Sequence, residues 1–270
     1  MSGRIILNLT LPMTKLAQWC LRGGVCAVLG TALLRADVPA RIGSVPPIIQ
    51  QNYDAAVRRY QTNAGDDHAA WELARACFDR AEFVKDDRER AEYANEGINA
   101  CNKLLARSPN SAEGHYYLGM DLAQLARTKL LGALPLVRQM ETEWTITLRL
   151  DDKVDHAGPD RYIGLLYRDA PGPPLSIGNA GKARRHLQRA VDLDPVFPEN
   201  YLNLIETYLM WKKVTLANAA LDKLRRVLPE ARLKYTGEYW NASWLDWNDR
   251  LEKIEKTLSG TPETPPAHRR

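Results

Sequence analysis

Residues 198–230, PENYLNLIETYLMWKKVTLANAALDKLRRVLPE, describe a helical hairpin that cannot stand alone. Tyr201, Leu204, Ile205 and Tyr208 recur at i, i+3, i+4 and i+7, which places them on one face of a helix. After a polar break at Lys212 and Lys213, Ala217, Leu221 and Leu224 form a second stripe, and Pro229 is expected to end it. Two helices with one apolar stripe each leave both stripes half covered unless further hairpins stack on either side. The rest of the chain must supply those neighbours.

It does so at a long, regular spacing. The aromatic, leucine and small-residue order, with its closing proline, resembles a tetratricopeptide (TPR) unit, whose repeat is 34 residues; Pro195 and Pro229 are 34 residues apart. Upstream, Tyr53, Ala56, Val57 and Tyr60 make a short stripe ending near Asn63-Ala64-Gly65. Asp66 or Asp67 caps a helix carrying Leu73, Ala74, Cys77 and Phe78, and Ala94, Ile98, Cys101 and Leu105 mark its partner. A third hairpin runs from Ser111, with Gly119 and Ala123 as a small-residue strip, through KLLGALP to a helix carrying Val137, Met140, Trp144 and Leu148. A fourth runs from Gly158 through the loop APGPPLSIGN (170–179) to Ala183, Leu187 and Ala190. Closing positions at Ala64, Pro109, Asp152, Pro195 and Pro229 lie 45, 43, 43 and 34 residues apart. The surplus belongs in turns inside the hairpins, at 82–90, 127–135 and 168–179, which are expected to project from one edge.

The expected fold is all-α: a right-handed solenoid of TPR-like antiparallel hairpins over residues 49–258 with a C-terminal capping helix. Trp240, Trp244, Trp247, Leu251, Ile254 and Leu258 share one face of that last helix. A cap satisfies a solenoid's need for an atypical end repeat; an aromatic stacking site is the other reading. Residues 259–270, SGTPETPPAHRR, are expected to be a disordered tail.

The N-terminal 36 residues follow a different grammar. Lys15 and Arg22 precede the apolar run GGVCAVLGTALL and the candidate cleavage site Leu34-Arg35-Ala36, the order of a secretory signal peptide. Twelve apolar residues are too few to span a bilayer, which takes about 20. Met13 is a candidate start, and residues 37–48, rich in proline, form a linker. Export to the periplasm is therefore expected. No small residue precedes Cys20 or Cys26, so no lipoprotein cleavage box is present, and membrane association stays open.

The formal charge of +4 belongs to this segment, whose four basic residues face no acid. The remainder carries 33 side chains of each sign, which removes a nucleic-acid partner. Cys77 and Cys101 fall at opposite ends of adjacent antiparallel helices, offset by roughly 10 Å at 1.5 Å per residue, so two buried thiols are expected instead of a disulfide.

Catalytic motifs are missing. His68, His115, His156, His186 and His268 are scattered, and no GxSxG, HExxH or phosphate-loop pattern occurs. A non-enzyme without cofactor or metal is expected. The densest chemistry lies in residues 118–134 and 157–178, where Arg127, Lys129, Asp160, Arg161, Tyr167, Arg168 and Asp169 stand beside apolar residues and loops. These charges are either a solvated rim or a ligand- or partner-binding set aimed at a shared groove, where guanidinium groups grip carboxylates.

LGMDLAQLARTK, YRDAPGPPLSIG, WELARACF (71–78), the RAVDLDPVFPENYLNLIETYL run and the tryptophan-rich end together resemble the TRAP-transporter T-component family, over roughly residues 50–258. The resemblance implies an all-helical cell-envelope protein that partners a periplasmic solute-binding protein serving a secondary transporter, with a small organic ligand. The alternative is a general periplasmic TPR scaffold gripping a peptide or protein. Oligomeric state is open, a homo-oligomer included.

Overall fold

The computed structural model describes residues 45–129 and 132–260. The signal-peptide segment, most of the linker and the tail from 261 lie outside them. Ten α-helices follow in order among the described residues. They are α1 (Pro47–Thr62), α2 (Asp67–Glu82), α3 (Asp87–Arg107), α4 (Ala112–Arg127), α5 (Ala133–Leu150), α6 (Val154–Asp169), α7 (Ala180–Leu193), α8 (Pro198–Met210), α9 (Val214–Lys234) and α10 (Asn241–Ser259). A short 3₁₀ turn, Glu238–Trp240, precedes α10. No strand occurs among the described residues. The chain is a helical solenoid of TPR-like hairpins.

Helix starts follow the capping chemistry of the sequence. Asp66, Asp86, Ser111 and Asn179 each accept a backbone N–H of the following turn, satisfying donors that a helix leaves open. Pro47 and Ile48, expected in the linker, open α1, because a proline in the first helical turn gives up no hydrogen bond.

Each helix from α1 to α8 packs on its successor, α10 packs back on α8, and α2 also meets α4, α4 meets α6 and α6 meets α8. Those four make the inner row, and α3, α5, α7 and α9 the outer row. The tyrosine, leucine and tryptophan stripes of both rows merge into one core from Ala74 to Ile254. A smaller cluster (Ala56, Leu73, Ala76, Cys77 and Ala100) seats α1. Tyr53 donates to Glu96 at 2.6 Å and Arg80 to Gln50 at 3.0 Å, fixing that first helix by polar ties as well. Close approach at Gly119 is obligatory: a methyl group there would overlap the Trp144 indole, whose Nε1 donates to the Tyr116 carbonyl at 3.2 Å. Cys77 and Cys101 are buried free thiols, and burial pushes both well above the ordinary thiol range.

Three sequence expectations change. The first repeat's surplus does not project as a loop. Only residues 83–86 separate α2 from α3, and α3 grows to 21 residues instead. Arg90 makes that tight turn possible by donating to the carbonyls of Ala81 and Val84. Residues 170–179 form the one long loop inside a hairpin among the described residues. Second, α9 does not stop at Pro229 but runs on to Lys234. Burying Ala231 and Tyr235 against the core offsets the hydrogen bond the proline forgoes. Third, Trp240 belongs to the 3₁₀ turn and not to the last helix. Trp247 and Ile254 of α10 are buried against α8, and Arg250 locks the pair by donating to Asn203 and to both oxygens of Glu206, each at 2.7 Å. The terminal helix is a cap.

Candidate functional site

Between the inner-row helices lies a groove of about 400 Å³, within the range of small-molecule sites. Trp71 and Arg75 of α2, Glu113 and Tyr117 of α4, and the entry to α6 at Lys153–Ala157 line it, with Asp151, Leu193 and Asp194 on its rim. Trp71 and Tyr117 stack nearly parallel, ring centres 5.7 Å apart at 7°, and make a flat aromatic wall.

The opposite wall is a left-handed backbone turn. Asp155, His156 and Ala157 take φ of 53°, 57° and 61°, a region that costs an L-residue with a side chain about 1–2 kcal/mol each. Three in succession persist only if the surroundings over-determine them. Arg161, one turn into the helix and 0% exposed, does this. Its Nη1 donates to the His156 carbonyl at 3.0 Å and to Asn200 Oδ1 at 2.9 Å. Its Nη2 donates to the Asp155 carbonyl at 3.0 Å and to the Asp155 carboxylate at 2.7 Å. Asn200 in turn donates to the His156 carbonyl at 3.1 Å, and Tyr116 donates to Asp155. Hydrogen bonds to charged groups contribute about 1.5–3 kcal/mol each, enough for this set to outweigh the strain. Burial alone would lower the Arg161 pKa, but the charges of Asp155 and Glu199 raise it above its ordinary value.

The turn presents His156 edgewise. Its ring stacks on Phe197 at 4.3 Å and 12°, and Tyr235 and Trp240 meet it edge-on. Nδ1 lies 2.7 Å from Asp194 Oδ2. Burial would raise the Asp194 carboxyl, yet the hydrogen bond and charge of His156, with Lys234, hold it below the usual range.

The C-terminal segment reaches across to the first full hairpin. Tyr239 accepts a hydrogen bond from Arg75, whose guanidinium also sits over its ring, 5.6 Å from the centre. Arg75, which lines the groove, is thus held by a residue 164 positions away in sequence.

None of the seven residues singled out from sequence lines this groove. Arg127 donates to Glu82 at 2.5 Å and to Gln124 at 3.1 Å, while Lys129 is exposed at the helix end. Arg168 forms a two-pronged contact with Asp169, at 2.5 and 2.7 Å, and reaches Thr207 at 3.3 Å. Buried Asp160 is held by His186 at 2.8 Å and by Arg189. Tyr167 donates to Glu141 and carries Lys182 over its ring at 4.7 Å. Arg161 alone reaches the groove, indirectly, by shaping its wall. Trp71, Arg75, Glu113, Tyr117, Lys153 and His156 have no signal at helical spacing that separates them from ordinary core and rim residues; Asp155-His156-Ala157 before Gly158-Pro159 carries the one hint, a break preceding a helix start. Among the described residues no cluster of His, Cys, Asp and Glu is placed to hold a metal ion, and no helix is long and apolar enough to cross a membrane.

Residues 49–131 match the family model described as regulator of microtubule dynamics protein 1-3. No curated protein matches the chain. Among solved structures, a thermophilic TPR protein of Thermus thermophilus is similar, with 20% identity and a TM-score of 0.56 over 77% of this chain and 93% of that one. MamA follows at 15% identity and a TM-score of 0.44, over 69% and 90% of the two chains. Yeast Tom70 follows at 11% and 0.27, over 79% and 62%. The first likeness identifies the fold: a TPR-like helical repeat.

Proposed function

We propose that this chain is a non-catalytic, exported adaptor. It holds a small organic solute in the groove between α2, α4 and α6 and presents it to a periplasmic solute-binding protein, the role that its resemblance to T-components implies. The observation that carries this reading is the small aromatic and charged groove. Its volume of about 400 Å³ and its lining of aromatic and charged residues from α2, α4 and α6 suit a compact ligand better than an extended peptide. The loop 170–179 offers a protein contact away from the groove, since it projects between α6 and α7 with Leu175 55% exposed. Export rests on the basic, apolar and small-residue order of residues 13–36.

Isolation of the native protein from its cell envelope, with N-terminal sequencing and identification of co-purifying proteins, tests both halves. The reading expects a processed N-terminus near Asp37 and a solute-binding protein that cross-links through position 175. A full-length cytoplasmic protein without that partner overturns it.

A second reading, a general TPR scaffold for a peptide or protein, is favoured by the exposed 170–179 loop alone. It expects an extended peptide to compete with Tyr239 for Arg75, so Tyr239→Ala should tighten peptide binding.

A further inference from the structure

We propose that the groove is a receptor for a compact zwitterion of the α-amino-acid kind, carrying an ammonium, a carboxylate and an apolar body. This rests on the reading of the groove as a solute site and names the solute's chemistry.

The charges around the groove divide into two sets. Three are partnered within the protein: Arg75 pairs with Asp79 and donates to Tyr239, Asp155 pairs with Arg161, and Asp194 pairs with Lys234 and is hydrogen-bonded to His156. Glu113 and Lys153 have no ion-pair partner among the described residues, although both line the same 400 Å³ space. Asp151, the remaining acid, accepts the Lys153 backbone N–H at 2.9 Å and is exposed on the rim. Two anions and one cation thus lack an ion pair, and because Asp151 already accepts the Lys153 backbone N–H, Glu113 and Lys153 are the pair left open to a ligand in a groove walled by the Trp71–Tyr117 stack. A ligand of a single charge would satisfy one of the two and crowd the other with like charge. A zwitterion satisfies both, its ammonium on Glu113 beside the aromatic faces and its carboxylate on Lys153. Its apolar body is left against Trp71, Tyr117, Ala157 and Leu193. The volume sits at the small end for ligand sites, which suits a single amino acid better than a peptide.

The test is isothermal titration of the full chain with the twenty free amino acids, each also offered as its N-acetyl acid and as its α-amide. At least one free amino acid with an apolar side chain should bind, and its acetyl and amide forms should bind at least tenfold more weakly. Glu113→Gln should weaken the free amino acid at least tenfold yet leave the N-acetyl form unchanged. Lys153→Gln should do the converse with the amide. Both variants should melt like the parent. The proposal is overturned if no free amino acid binds, or if the acetyl and amide forms bind as tightly as the zwitterion. An empty panel alongside a captured solute-binding protein sinks the ligand class alone. A bound amino acid in a protein that is never exported sinks the adaptor reading alone.

Discussion

The Arg161 guanidinium donates to the main-chain carbonyls of Asp155 and His156, so a side chain of α6 braces the left-handed turn within that helix's own first residues. Removing it should undo both the turn and one wall of the groove. Arg161→Met leaves Asp155 buried without its cation, a loss of about 3–5 kcal/mol for a broken buried pair. Urea denaturation should show a much lower midpoint, and any surviving folded protein should have lost groove binding.

Ala157 sits at φ 61° and is buried. Glycine there relieves left-handed strain of about 1–2 kcal/mol but loses a buried methyl and gains unfolded-state freedom, each about 1 kcal/mol or less. Ala157→Gly should therefore stay within about 1 kcal/mol of the parent. Ala157→Val puts a β-branched side chain into the same conformation and should cost about 3 kcal/mol or more. Thermal melts of the two variants check the contrast.

Asp121 is 0% exposed against Gly97, and neither carboxylate oxygen has a hydrogen-bond partner. Burial first, then the charges of Asp79 and Glu96, pushes its pKa well above the carboxylate range. The folded state thus keeps a proton that the unfolded chain releases above about pH 4, and stability falls as pH rises from there towards the folded value. Asp121→Asn removes that dependence. The variant should gain on the parent in melting midpoint from pH 4 to pH 8, and a constant difference across that range would contradict the assignment.

Arg127 and Arg168 each have an internal acid, Glu82 and Asp169. Arg168→Gln should cost more than Arg127→Gln, because the Arg168 side chain is 3% exposed and the Arg127 side chain 19%. Ligand affinity in the groove should be unchanged in both. A tenfold loss of binding at unaltered stability would instead make these arginines part of the site.

The helices were readable because their stripes are long and because Asp66 and Ser111 mark helix starts; Asp86 and Asn179 cap their helices as well, but from within stretches read as turns. The cap at α10 was readable for the same reason, since Trp247 and Ile254 recur at seven residues. The groove was not, because it depends on three-dimensional closure. Glu113 looks like any first-turn acid, Trp71 like any core aromatic, and nothing local says that Tyr239 lies beside Arg75. Arg161 stood out as a charge in an apolar stretch, but a buried charge can bind a ligand or brace a turn. Only the positions of Asp155, His156 and Asn200 decide for the brace.

The hydrogen bond between Tyr239 and Arg75 has a consequence for how the molecule comes apart. An open solenoid frays from its ends, each repeat answering only to its neighbours. Here the 3₁₀ turn before α10 is clasped to α2, so the first full hairpin and the segment leading into the terminal cap do not come apart independently. Loosening the clasp would turn a bracelet back into a spring.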